Sequence, residues 1–324
     1  MGTPDRSYTP TVWERVVAML EPSALLSSAM YHYVIVCLEA VFKRGDVLAP
    51  VLRVGRLRDE AFGRFWLKFS AQPQRDPTNT NTKDTNTPSA PVQGSAALIP
   101  PLLATASGIV LDIGPGSGTQ MPLLAASSAP GIRTIYGAEP CVGLHDELRQ
   151  RARAEGLEDK YVILPCSVER KALVPELEKR GVLVPEDGSG VFDTILCVRV
   201  LCSVPDPERT VADLYDLLRP GGKMLVVEHV VNPWRTRKGS FVARVVQSIY
   251  GLLGWSFFLG DCHMDRDTAG LLRKVAEEKE DDGGWEVEEL EEWFGWSPLP
   301  YVAGRLVKKG GKKEIESMST SISP

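Results

Sequence analysis

"VLDIGPGSGT" (residues 110–119) decides the fold. An apolar run ends in Asp112, and Gly114, Gly116 and Gly118 follow at alternate positions. Alternating glycines let a backbone turn sharply and come close to a ligand. An apolar strand entering such a turn is the nucleoside-binding corner of a doubly wound sheet. The spacing here is GxGxG, and its third glycine comes one residue earlier than in the GxGxxG fingerprint of dinucleotide sites. Asp112 stands directly beside the turn, where it would repel a pyrophosphate and favour a cation.

Reading outward, short apolar runs alternate with helical patterns. Strands are expected at "GIVLDI" (Gly108–Ile113), "RTIYGAE" (133–139), "YVILP" (161–165), "FDTILCV" (Phe192–Val198) and "GKMLVVE" (222–228). Helical stretches such as "CVGLHDELRQRARAEG" and "PDPERTVADLYDLLRPGG" separate them, and Pro-Gly-Gly marks the return into the last strand. This rhythm predicts βαβ units, and hence an α/β, Rossmann-like, doubly wound and mostly parallel sheet. Glu139 ends the second strand, 21 positions after Gly118. A carboxylate there accepts hydrogen bonds from both hydroxyls of a ribose. S-adenosylmethionine has a ribose, an ammonium and a sulfonium but no phosphate, so it suits both acids.

Beyond Glu228 the pattern loosens into an aromatic and basic stretch, with Asp267 offered as N-cap of a helix from Thr268. "GWEVEELEEWFG" and "PYVAGRLVKK" then read as antiparallel strands closing the sheet, with a solvated acidic loop before them. The cofactor-binding α/β unit is placed at 96–308 and a disordered tail at 309–324. The polar run 72–95, rich in Thr, Asn and Pro, is read as a disordered linker, because it has too little apolar surface to offset its ordering entropy.

Residues 1–71 are read as a helical segment, either a lid or membrane-associating. Phe62, Phe65, Trp66 and Phe69 share one helical face. The 20 residues 23–42, opening on Ser23 and closing on Phe42, lack Lys and Arg and have about the length of a hydrocarbon core. His32 and Glu39 make spanning costly, so a buried or interfacial helix is favoured and membrane association through this stretch is not.

The 324 residues carry a formal net charge of −5 and no basic stripe with interleaved aromatics, which argues against a nucleic-acid partner. Six cysteines contain no CxxC pair, and the four histidines form no HExxH. No disulfide framework and no metal are expected, and a reducing, cytoplasmic setting fits, peripheral to an intracellular membrane at most.

Residues of roughly 108–228 resemble the class I S-adenosylmethionine-dependent methyltransferases. "VLDIGPGSG", "IYGAEP", "FDTILCVRVLCSVPDP" and "LLRPGGKMLVVEHV" carry the likeness. "VLCSV", "LRPGG", "EHV" and "GDCHMDRDT" resemble more narrowly the branch with quinone C-methyltransferases, phosphatidylethanolamine-type N-methyltransferases and membrane-associated alkyl-thiol methyltransferases. The resemblance implies that Gly114, Gly116 and Gly118 line the cofactor's methionine moiety, with Asp112 near its amino group. It implies Glu139 on the ribose, Ser167 and Val168 beside the adenine, and Cys197 and Val198 under the sulfonium. Arg199 departs from the small or apolar residue usual at its position.

Methyl transfer needs alignment in a dry site, and a base only where the acceptor must lose a proton. His229, at the carboxyl end of the fifth strand, is the first candidate for that role, and His263 the second. Asp261 and Arg266 lie in the same later loop. Trp255, Phe257 and Phe258 suggest an apolar wall, hence a hydrophobic small-molecule substrate of the kind met in secondary metabolism. Cys197 and Cys202 read as core thiols rather than nucleophiles. The acceptor atom is N, O or S on this reading. The alternative is a protein that keeps the fold and cofactor but catalyses a non-methylating, pericyclic step.

Overall fold

The computed structural model describes residues 9–70, 94–125, 129–185, 189–279 and 284–310. Seven strands form one sheet: β1 (Gly108–Ile113), β2 (Ile132–Ala138), β3 (Tyr161–Leu164), β4 (Phe192–Val198), β5 (Leu218–His229), β6 (Val287–Trp293) and β7 (Tyr301–Val307). Their order is β3-β2-β1-β4-β5-β7-β6. The first five run parallel; β7 is antiparallel to β5, and β6 to β7. The predicted α/β class and the antiparallel close are what the chain adopts.

Strand order reverses between β1 and β4, and a crevice opens there at the carboxyl ends of parallel strands. β5 starts four residues before the expected Gly222, because its Pro-Gly-Gly return is a bulge in the strand itself, between Leu218 and Lys223. The apolar runs supply the core: Leu111, Ile195, Leu196, Met224, Val226 and their neighbours are buried. Such two-faced burial is what continuous apolar strands require.

The helices are α1 (Val12–Phe42), α2 (Ala49–Leu52), α3 (Val54–Ser70), α4 (Ile99–Leu103), α5 (Met121–Leu124) and α6 (His145–Ala154). They continue as α7 (Arg170–Glu178), α8 (Pro207–Leu217), α9 (Phe241–Leu252), α10 (Trp255–Phe258) and α11 (Thr268–Lys279). Asp267 accepts the Gly270 N–H ahead of α11, as expected of an N-cap. α1 begins well before residue 23, because Thr11 and Glu14 form a reciprocal capping box. The helix therefore starts where the caps permit, within the segment expected to be helical. The linker expectation falls almost wholly, and the tail expectation mostly, outside the described residues.

α1 is long and apolar enough to cross a membrane by length and composition. It is not a core helix. Trp13, Val17, Leu20, Tyr31, Val34, Leu38 and Phe42 are exposed at helical spacing along one side. Its opposite side, with Leu26, Ala29, Val36 and Ala40, is buried against other parts of the chain.

Candidate active site at the carboxyl ends of the strands

The glycine loop is crowded from three directions. Gly114, Gly116 and Gly118 all have positive φ, at 57°, 61° and 75°. A Cβ on Gly116 would meet Trp66 Nε1 at 2.6 Å, and one on Gly114 would meet Val200 at 2.6 Å. No other residue fits both the backbone and the space.

Glu139 does more than end β2. Its Oε2 accepts the Gly116 N–H at 2.8 Å and its Oε1 accepts the Cys141 N–H at 2.8 Å, while the His145 ring is bonded to its carbonyl. Burial raises its pKa, and the two backbone N–H bonds work against that rise. Each carboxylate oxygen keeps a lone pair, so a ribose diol remains within its capacity. The carboxylate thus clamps the loop as well as standing where a ribose is expected.

Asp112 is buried and accepts the Tyr161 hydroxyl at 2.8 Å. Burial pushes its carboxyl up to about 7; the Tyr161 hydrogen bond opposes this and Glu139 adds to it. Tyr161 reaches Asp112 across Gly137, where a Cβ would meet its hydroxyl at 2.4 Å. Sequence reading gave no sign of this pair. Ser167 is half-buried just after β3, whereas Val168 lies in the main core. Cys197 is fully buried, and burial holds its thiol well above the usual range, the behaviour of a core residue. Val198 ends β4 partly buried.

The other half of the crevice is assembled from distant segments. Arg199 has φ of 58° and sends its guanidinium to Ser95 Oγ at 2.7 Å and over the Tyr301 ring. Glu228 Oε1 accepts the Val200 and Leu201 N–H groups at 2.8 and 2.9 Å, fixing the loop after β4. His229 is buried, its Nε2 3.0 Å from Cys262 Sγ. Burial pulls its pKa down, but Cys202 and Glu228 outweigh that, and the net direction is up. Cys202 Sγ, Cys262 Sγ and a His229 ring nitrogen all lie within 4.8 Å of one another. The Trp255 indole N–H donates to Cys262 Sγ at 3.2 Å.

His263 does not join this group: its side chain is exposed, and its backbone N–H donates to Cys202 O. Arg266 donates to Leu201 O. Asp261 takes a two-pronged ion pair from Arg58 of α3, at 2.8 and 2.9 Å. Of the expected apolar wall, Trp255 borders the cluster, while Phe257 and Phe258 pack on Tyr33 of α1.

α3 lies across both halves. Arg58, Phe62 and Trp66 are spaced by four and form one stripe, touching Asp261, Gly260 and Gly116 in turn. Among the described residues, five buried side-chain atoms lack a hydrogen-bond partner: Trp66 Nε1, Ser117 Oγ, Arg199 Nε, Glu228 Oε2 and His229 Nδ1. All five belong to the crevice or to the helix over it. Buried polar atoms are seldom left unpaired, so a concentration of them marks a place built for a ligand. With the crowded glycine cradle, they fit a polar nucleoside cofactor.

A family model described as a methyltransferase domain matches residues 92–277. A thiol S-methyltransferase of Mus musculus is 30% identical over 118 residues, covering 36% of this chain and 44% of the relative. A phosphatidylethanolamine N-methyltransferase of Cereibacter sphaeroides is 26% identical over 173 residues, covering 53% of this chain and 72% of the relative. An O-methyltransferase family protein from Burkholderia thailandensis superposes with a TM-score of 0.46 at 12% identity, covering 91% of this chain and 72% of that one.

Proposed function

Because the chain belongs to the methyltransferase-domain family, whose cofactor here is S-adenosylmethionine, we propose that it methylates a hydrophobic small molecule at a thiol or amine. The observation that carries this reading is the set of five unpaired polar atoms converging on one crevice. When bound, the cofactor supplies an electrophilic methyl group on a sulfonium. Glu139 would hold the ribose, the glycine cradle would line the methionine moiety, and Asp112 would favour its ammonium. The α3 stripe excludes water. His229 and the sulfur atoms beside it face the acceptor and take or direct its proton. The names of the two relatives point to a thiol in one case and to the amine of a phospholipid in the other, and the sulfur-rich cluster favours the thiol.

The outer surface supports a lipophilic acceptor. α9 turns Phe241, Val242, Val245, Ile249 and Leu252 outward, and its Tyr250 hydroxyl bonds to Met19 O of α1. Two packed helices thus each expose an apolar stripe, and Trp234, Arg235, Arg237 and Lys238 precede α9. Apolar stripes beside basic residues suit an anionic lipid surface, on which these helices would lie.

The test is mass spectrometry of products from an alkyl thiol, an aliphatic amine, a phenol and a quinol, each presented with anionic or neutral vesicles. A methylated thiol or amine, made faster on anionic vesicles, is expected. Cofactor binding with no methylated product from any of the four would sink the reading.

A further inference from the structure

We infer that Cys202, His229 and Cys262 form a binding site for one soft divalent metal ion, zinc by preference, with its fourth position open to the methyl acceptor. The inference rests on the methyl-transfer reading and names what prepares its acceptor. Three segments bring the donors together: the loop after β4, the end of β5, and the loop between α10 and α11. Their ligand atoms lie within 4.8 Å of one another. Cys202 and His229 are buried and Cys262 is half-buried.

Two sulfurs and one imidazole are a soft set, suited to zinc rather than to magnesium or calcium. Three protein ligands with one open position are the pattern of zinc sites that act on substrates, whereas purely structural sites close all four. In such a site the donors stand about 3.5–3.8 Å apart, given bonds of about 2.3 Å to sulfur and 2.0–2.1 Å to nitrogen. The 3.0 Å contact between His229 Nε2 and Cys262 Sγ would open by about half an ångström.

Two thiolates and one dication cancel in charge, which suits a buried place. The Trp255 N–H to Cys262 Sγ supplies the outer hydrogen bond that steadies such a ligand. The position is also the right one for chemistry. β4 and β5 are neighbours with Val198 opposite Val227, so the cluster sits just past the end of β4, where the sulfonium is expected.

The step balances without an oxidant. A thiol R–SH binds at the fourth position and releases its proton to solvent. The thiolate sulfur attacks the methyl carbon as the bond from that carbon to the cofactor sulfur breaks. R–S–CH₃ and S-adenosylhomocysteine result, and the neutral thioether is a poor zinc ligand and leaves.

The test uses the whole chain, purified under reducing conditions. Zinc is measured by elemental analysis after titration and gel filtration, and cobalt(II) substitution is followed by absorption. One ion per chain, a thiolate-to-cobalt band and the bands of tetrahedral cobalt are expected. Cys202→Ser and Cys262→Ser should lose the stoichiometric ion, while Cys197→Ser keeps it. Bound zinc should also shield two thiols from alkylation in the wild type. Calorimetry with S-adenosylhomocysteine on the same samples reports separately on folding and on the methyltransferase reading. Wild type that takes up no stoichiometric zinc, or variants at Cys202 and Cys262 that retain it, would overturn the inference. Retained S-adenosylhomocysteine binding in that case leaves the methyltransferase reading in place.

Discussion

The two halves of the crevice are built in opposite ways. On the cofactor side, Glu139 closes on Gly116 and Cys141 through backbone N–H bonds, and Asp112 pairs with Tyr161. Most of its parts come from one βαβ unit. On the proposed acceptor side, Arg199, Cys202, Glu228, His229 and Cys262 come from three places in the chain, and Arg199, Glu228 and His229 each carry an unpaired polar atom. The glycine-loop half is closed by hydrogen bonds, with Trp66 Nε1 and Ser117 Oγ left unpaired. The other half holds the remaining three unpaired atoms, and on the proposed reading it sets the specificity.

Substitutions that strike one half and spare the other test this division. The largest effect is expected at His229. His229→Ala should lower kcat by about 10²–10⁴-fold, the contribution typical of assistance to the acceptor's loss of a proton, whether the ring takes it or helps hold the ion that promotes its release. Cofactor affinity, measured by calorimetry, should hold. A parallel loss of affinity would mean that the two halves are not separable.

Glu139→Ala attacks the other half. Losing hydrogen bonds to a charged acceptor costs about 1.5–3 kcal/mol, so S-adenosylhomocysteine should bind about 10–150-fold more weakly. Saturating cofactor should then restore most of kcat. Failure to restore it would show the clamp reaching into the acceptor half.

Asp112 gives a smaller effect that depends on pH. Its folded pKa of about 7 lies above the ordinary value of 3.8. The folded state therefore keeps a proton that the unfolded state has lost. This contributes stability that is full below about pH 4 and is lost as pH rises toward 7. The cofactor's cation favours the ionised form, so affinity should rise about tenfold between pH 6 and pH 8. Asp112→Asn should flatten both curves. Calorimetry and thermal melts across this range check the sign, and affinity that falls with pH would remove Asp112 from the cofactor's neighbourhood.

The smallest effect belongs to the contact joining the halves. Arg58 and Asp261 are partly solvated, so Arg58→Ala should cost about 0.2–1 kcal/mol in denaturant unfolding. A larger loss would make this ion pair a principal tie between α3 and the sheet.

The same division explains what could be read in the sequence. The five parallel strands, the GxGxG turn and the acid ending β2 were legible because each is a local pattern of period and spacing. Tyr161 on Asp112 was not, since it depends on the register of β2 and β3 and on the bare backbone of Gly137. Cys202 and Cys262 are 60 positions apart with no CxxC, so nothing local links them: Cys202 read as a core thiol and Cys262 carried no reading of its own. Only the pairing of β4 with β5 and the path of the loop before α11 bring them to His229. His229 itself was found from its place at a strand end, whereas His263, chosen from the same loop motif, turns outward. α1 was foreseen as a helix, but its Thr11–Glu14 capping box was legible and passed over.

The stripe of Arg58, Phe62 and Trp66 has a consequence for timing. It presses on Gly116 in one half and on Gly260 and Asp261 in the other. On the proposal that α3 acts as a lid, lifting it would open both halves together, and methylated product and spent cofactor would share a single exit event. Rapid mixing should show a burst of one product per chain, followed by a slower steady rate set by the lifting of α3.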